Sequence, residues 1–376
     1  MKNRTCLFLP LFLFLFSACS VGKINRQQVV QRHNIKLTET GHKPLQVGNG
    51  NFAFNVDITG LQTFAAHNTM SHWAFHSMPL PPGIDPKDFT RTVRTINGRP
   101  VEFEIDNPKQ PVLSKWLAAN PHAANLGRIG LRLSRKDGSP AAITDLKNPV
   151  QHLDLWSGVI TSSFDFDGTR VEVKTACHPA RDEIGIQVNS ALVSKGQLKI
   201  ALDFPYGDDR EFTEFVGDYN NPQKHTTKLQ KMGQHLFIQR AVDDLRYSLT
   251  VKSGKGIVYE RADSVKNPHK LVLAPQSDLS QYTFHFSKDA GVDNSAPGDI
   301  FGASKGGWKA YWMSGAAVDF SKCTDARAFE LERRIVTSQY LMKVNNAGSL
   351  PPAETGLFKN SWYGKFHFEM IWWHGV

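Results

Sequence analysis

Thr161-Ser-Ser-Phe-Asp-Phe-Asp-Gly-Thr-Arg-Val-Glu-Val-Lys-Thr175 decides the fold class. Phe164 and Phe166 alternate with polar residues on the way into Asp167-Gly168, and Val171 and Val173 alternate on the way out. In an extended chain, alternation puts the apolar side chains on one face. Asp-Gly supplies the residues that best tolerate the left-handed backbone of a tight hairpin turn. The signature recurs outward in both directions. Candidate strands are Phe52–Ile58, Ile129–Ser134, Ile184–Val188, Leu198–Phe204, His235–Gln239, Tyr247–Val251, Lys270–Leu273 and Tyr282–Phe286. Turn pairs Asp137-Gly138, Lys195-Gly196 and Lys255-Gly256 punctuate them. From about Lys36 to Phe286 this predicts a large antiparallel sandwich without a long helix. The Pro-rich stretches Met78–Pro86 and Asn107–Val112 read as surface loops, and His72 and His76 as loop or pocket-lining residues.

The pattern changes near Asp299. Trp308, Tyr311 and Trp312 stand at the i, i+3, i+4 spacing of one helix face. A second helix is predicted from an Asp325 cap to a left-handed Gly348, with Pro351-Pro352 barring its resumption. Its buried face is expected to follow Ala328, Leu331, Ile335, Gln339 and Met342, or the adjoining Leu331, Ile335, Ser338 and Leu341.

With 40 % hydrophobic and 21 % charged residues, the 376-residue chain is of ordinary globular composition, not disordered or fibrous. The net charge of +9 is diffuse, and no nucleic-acid-binding module accompanies it, so no nucleic-acid partner is expected. Four cysteines are too few for a disulfide scaffold, and Cys177 and Cys323 read as two independent buried thiols. The first residues form a secretory signal: basic Lys2 and Arg4, the Leu/Phe-rich run Leu7–Phe16, then Ser17-Ala18-Cys19. The ending resembles a bacterial lipobox, in which Cys19 becomes the lipidated first residue of a cell-envelope lipoprotein.

The last stretch, Ser361-Trp-Tyr-Gly-Lys-Phe-His-Phe-Glu-Met-Ile-Trp-Trp-His374, interleaves aromatic rings with His367, Glu369 and His374. As a helix it would put His367, Ile371 and His374 on one face and Glu369, Trp372 and Trp373 on another. As a strand it would put His367 and Glu369 opposite Phe366, Phe368 and Met370. Sugars need this mixture, because rings stack on their C–H faces while carboxylates and imidazoles bond their hydroxyls. A buried apolar element with satisfied polar groups would look the same. The spacing of His367, Glu369 and His374 fits no established zinc signature, and neither a metal nor a cofactor is expected.

Gly48-Asn-Gly-Asn-Phe-Ala-Phe54, the β region, Trp308-x-x-Tyr311-Trp312, the second helix and Gly364–His374 together resemble the six-hairpin glycosidases. The chain is most similar to secreted bacterial relatives of glycoside hydrolase family 65. The resemblance implies a mainly β fold, an N-terminal antiparallel β supersandwich followed by a helical linker and the first elements of an incomplete (α/α)6 barrel. It divides the chain into a signal segment (1–19), supersandwich (20–298), linker (299–350) and barrel start (351–376). It also implies substrate-binding roles for Trp362, Tyr363, His367 and Glu369, with Trp372 and Trp373 beside them.

The implied activity is inverting cleavage of oligo- or polysaccharides, with a general acid on a later barrel loop and no catalytic residue within the chain. Twelve barrel helices need on the order of 200 residues, whereas 76 follow Ile300, so the sequence is expected to be part of a longer protein. Alternatives are a non-catalytic carbohydrate-binding lipoprotein and a polysaccharide lyase relative.

The lipobox reading predicts that Cys19→Ala moves the expressed protein from the detergent phase to the aqueous phase on partitioning. Unchanged partition would refute the lipid anchor.

Overall fold

The computed structural model describes residues 23–103, 107–263, 266–288 and 298–375. The signal segment and Cys19 lie outside them. The fold is mainly antiparallel β. Its largest sheet has nine strands in the spatial order Ile35–Leu37, Lys147–Asp154, Val159–Phe166, Thr169–Cys177, Glu183–Asn189, Leu279–Ser287, Leu245–Lys252, His235–Val242 and His225–Met232. The Asp167-Gly168 turn is as predicted. Both residues have positive φ, 52° and 73°, and Phe166 pairs with Thr169. Register then lines up one apolar face: Phe164 opposite Val171, Val173 opposite Val188, Ile184 opposite Phe284, Leu249 opposite Phe286.

A four-stranded sheet, in the order Tyr259–Asp263, Asn267–Leu273, Leu198–Asp203 and Arg128–Leu133, supplies the other half of the core. Leu131 pairs with Ile200 and Ile200 with Leu273, and all three are buried with the large sheet's inner face in one apolar cluster. Burying such paired faces is the main favourable term for the sandwich.

Among the described residues the α-helices are α1 (Arg26–Gln31), α2 (Pro111–Ala119), α3 (Ile300–Met313), α4 (Ala328–Asn345) and α5 (Phe368–Gly375). α2 begins inside a stretch read as a loop. Its Pro111 occupies the first turn, where no intrahelical N–H bond is needed, so a residue that looks like a breaker starts a helix. α3 lies across the large sheet. Trp308 packs so close to Gly158 that a β-carbon there would strike the indole. Trp312 Nε1 donates to Leu155 O (2.7 Å), and Ser304 Oγ to Ser157 O (2.8 Å).

α4 departs from its predicted face. The buried stripe is Ala328, Glu332, Val336, Tyr340 and Val344, while Leu331 and Leu341 are exposed. Apolar periodicity missed it because the stripe contains a carboxylate. Glu332 is buried because it accepts from Arg32 Nε (2.7 Å), Arg32 Nη2 (2.8 Å), His33 Nε2 (2.6 Å) and the Phe320 N–H (2.6 Å). α1 and α4 are thereby tied together. Tyr340 stacks on Trp308 (ring centroids 4.5 Å apart) and donates to Gln46 O (2.9 Å). The helix starts later than expected, since Asp325 folds back on the Arg327 N–H (2.8 Å). Gly348 is not left-handed. It is required because a β-carbon there would strike Gly50 O. Cys177 is buried as expected, but Cys323 is exposed.

Removing one partner of a buried charge network leaves the others uncompensated. Glu332→Ala should therefore cost about 3 kcal/mol or more, read from denaturant midpoints. Burial alone would raise the Glu332 carboxyl, but the bonds from Arg32, Phe320 N–H and His33 hold it below the usual range. Its stabilisation should be present above the unfolded-state pKa and disappear as pH falls through the folded one.

Candidate functional site

Between two strands the chain makes an excursion with no periodicity, Tyr206-Gly-Asp-Asp-Arg-Glu-Phe-Thr-Glu-Phe-Val-Gly-Asp218. Its ends pair, Tyr206 N–H to Asp218 O (2.8 Å) and Asp218 N–H to Tyr206 O (3.1 Å). Inside it, Asp208 accepts from Arg210 Nε (2.9 Å), the Arg210 N–H (3.1 Å) and the Gly217 N–H (3.2 Å). Burial pushes its carboxyl up, but these bonds outweigh that and hold it below the usual value. Asp218 accepts from the Asn220 N–H (2.7 Å) and from Asn221 Nδ2. Over the loop lies an open cleft of about 570 Å³, lined among others by Tyr206, Asp208, Asp209, Asp218 and Lys224. Lys224 Nζ sits 5.3 Å from the centre of the Tyr206 ring.

Beneath the cleft runs a buried polar chain. Tyr206 Oη donates to Asp243 Oδ2 (2.5 Å), which also faces His76 Nε2 (2.8 Å). His76 Nδ1 meets His122 Nε2 at 2.9 Å. A carboxylate only accepts, so His76 Nε2 donates to Asp243, while His122 Nδ1 lies 3.2 Å from Ala119 O, which likewise only accepts. Gly207 has no side chain because His76 occupies that space. Burial, then the neighbouring His76, pushes His122 down to about 4, and burial and Asp243 push the Tyr206 phenol up.

The tail reaches this cleft. The Thr213 N–H donates to Asn360 O (3.0 Å) and the Asn360 N–H to Thr213 O (3.1 Å). Trp362, Tyr363 and Gly364 then follow with φ of 51°, 60° and 69°. Left-handed backbone at Trp and Tyr costs about 1 kcal/mol or more at each and persists because surrounding bonds hold it. Tyr363 N–H donates to Glu211 O (3.1 Å), Lys365 N–H to Trp362 O (3.1 Å), and Lys365 Nζ to Ala118 O (2.7 Å). Gly364 lies against Ala123, leaving no room for a β-carbon.

The result is a platform. Trp362, 44 % exposed, meets Phe212 edge-on (5.1 Å) and His367 at 5.4 Å. Burial together with Glu211 and Asp209 raises the Tyr363 phenol, and Asn360 Nδ2 donates to the carbonyl of the cleft-lining Arg210 (2.7 Å). The structure thus brings together Trp362, Tyr363 and His367 of the six candidates. Glu369, Trp372 and Trp373 are exposed on α5, and among the described residues no ring contact joins either Trp to Trp362. The sequence reading missed the 206–218 loop, whose only signal is its clustered acids beside Tyr and Phe.

No family model and no curated protein sequence matches the chain. Among solved structures, one titled "Putative kojibiose phosphorylase from human microbiome" superposes with a TM-score of 0.55 at 9 % identity, covering 88 % of this chain and 44 % of its own. A bacterial glucoamylase complexed with acarbose matches 88 % of this chain and 46 % of its own at 8 % identity, and its TM-score of 0.37 is too low to bear on the fold. The first likeness establishes a shared fold over residues that span less than half of the phosphorylase-titled chain.

His122 near 4 against 6.5 for an unperturbed histidine means that the unfolded chain binds a proton more readily. Stability should fall as pH drops from 6.5 toward 4, by on the order of 3 kcal/mol from this residue. Urea midpoints of His122→Gln should show a shallower loss across that window than those of the wild type. An unchanged slope would mean that His122 is not buried neutral.

Proposed function

We propose that the chain is the β-sandwich part of an enzyme that cleaves glycosidic bonds in oligo- or polysaccharides, with a sugar unit held at the cleft beside Trp362. The observation that carries this reading is the exposed Trp362–Phe212 platform, whose Phe212 belongs to the loop that supplies Asp208, Asp209 and Asp218 to the cleft. A pyranose offers a C–H face to the rings and hydroxyl donors to the carboxylates. The fold shared with the phosphorylase-titled structure supports the same reading. In this proposal His367 belongs to the platform, and Glu369, Trp372 and Trp373 extend it along α5.

Cleavage would proceed by inversion. A carboxylic acid beyond residue 376 protonates the leaving oxygen while base-activated water, or phosphate in a phosphorylase, attacks the opposite face. We further propose a lipid anchor on Cys19 that holds the protein at the cell envelope.

The test is titration of the 376-residue protein with α-linked gluco-oligosaccharides, followed by tryptophan fluorescence. Trp362→Ala should weaken binding about three- to tenfold with little change in melting temperature. A lower melting temperature with unchanged affinity would make Trp362 a packing residue. Steady release of reducing sugar or sugar phosphate by this chain alone would overturn the placement of the acid beyond residue 376.

A further inference from the structure

The outward face of the four-stranded sheet carries a second groove, of about 520 Å³. Its floor is made by small residues and by the Gln62–Thr63 backbone. Gly130 and Ala201 pair directly across neighbouring strands, and Ala262 lines the same trough. The backbone of Gln62 crosses over Gly130, where a β-carbon would strike Gln62 O, whereas Ala201 and Ala262 stand where an outward strand position normally carries a long polar side chain and so leave the trough open. Its walls carry charge. Arg128 pairs with Asp203 across the strands, and Asp203 with Lys270.

Arg128 is held rigidly, with Nε donating to Gln62 O (2.6 Å) and Nη2 to Thr63 O. Its Nη1 makes no hydrogen bond among the described residues. Lys270 Nζ stands 3.9 Å from Asp203 Oδ2, too far for a hydrogen bond. Asp203 Oδ1 is closed off from solvent and makes no hydrogen bond among the described residues, and Asn267 stands beside the carboxylate on the groove wall.

A ligand suited to these groups brings a hydroxyl donor for the Asp203 carboxylate and an anion for Arg128 and Lys270. A neutral sugar supplies only the first, and a bare anion only the second. We infer that this groove is a subsite for an acidic sugar, in which a uronic acid carboxylate pairs with Arg128 and Lys270 while a neighbouring hydroxyl donates to Asp203. The groove and the Trp362 cleft have no lining residue in common. The inference rests on the glycan reading only for its biological sense, because the binding itself is independent of the cleft.

Calorimetry of the 376-residue protein with a trimer of uronic acid residues and with a neutral glucose trimer tests it. The acidic trimer should bind, and the neutral trimer should not displace it. Lys270→Gln, at a side chain 41 % exposed and therefore tolerant of change, should weaken binding about tenfold. Ala201→Phe, which fills the trough, should abolish it, with circular dichroism confirming that both variants fold. Trp362→Ala should bind the acidic trimer like the wild type. The inference is overturned by absence of binding at millimolar trimer, by equal displacement with the neutral trimer, or by wild-type affinity in both groove variants. Loss of acidic-trimer binding in Trp362→Ala would move the ligand to the cleft. Failure of the glucose trimer at the cleft, with the acidic trimer still bound, would sink the cleft reading alone.

Discussion

Gly50 and Gly348 meet backbone to backbone, and the course of the chain after α4 depends on that approach. A β-carbon on Gly50 would lie 2.5 Å from Ala347 C, and one on Gly348 would strike Gly50 O. Asn49 shapes the loop that makes the approach possible. Its Oδ1 accepts from the Asn51 and Phe52 N–H groups (both 2.9 Å), and its Nδ2 donates to His178 O (3.0 Å) and Arg181 O (2.9 Å). The loop therefore holds an N-terminal strand, the rim of the nine-stranded sheet and the end of α4 at one point. Gly50 N–H donates to Val344 O (3.0 Å), and Asn51 Oδ1 accepts from the Ser349 N–H (2.7 Å).

Beyond that point the chain runs over the sandwich without a helix or strand until the short turn at Trp362, so its backbone groups need partners from elsewhere. Buried amide side chains supply them. Asn55 Nδ2 and Asn68 Nδ2 both donate to Phe358 O (2.8 and 3.1 Å), and Asn345 Oδ1 accepts from the Leu357 N–H (3.1 Å). Asn68 also donates to Glu214 O (2.8 Å) and accepts from the Val216 N–H (2.9 Å), so one side chain fixes both the tail and the acidic loop. The Trp362 platform and the cleft are thus positioned by shared amides. Pre-organisation of this kind lowers the ordering cost of binding.

The sandwich itself was legible because its rules are local. Alternation, Asp-Gly turns and the Trp308/Trp312 spacing each act within a few residues, and the structure follows them closely. Legibility failed where a distant partner reverses a local preference. Glu332 sits in a buried stripe because Arg32, some 300 residues away in sequence, pairs with it and His33 bonds it. Leu331, which periodicity would bury, is 52 % exposed. Pro111 and Gly348 were read through their commonest roles, and each serves another.

For the site, the sequence by itself determined that the tail is aromatic and that Trp362, Tyr363 and His367 lie within a few residues of one another. Local chemistry and short spacing carry that much. Only the tertiary structure decided which rings meet, that Phe212 comes from a distant loop, and that Asp208, Asp209 and Asp218 rim the same cleft. The choice between helix and strand for the tail was likewise settled by packing. A left-handed turn at Trp362–Gly364, held by Glu211 O and pressed on Ala123, ends the extended run and precedes α5. A sequence window contains none of those contacts, since long-range hydrogen bonds and close approach, not propensity, stabilise positive φ at Trp and Tyr.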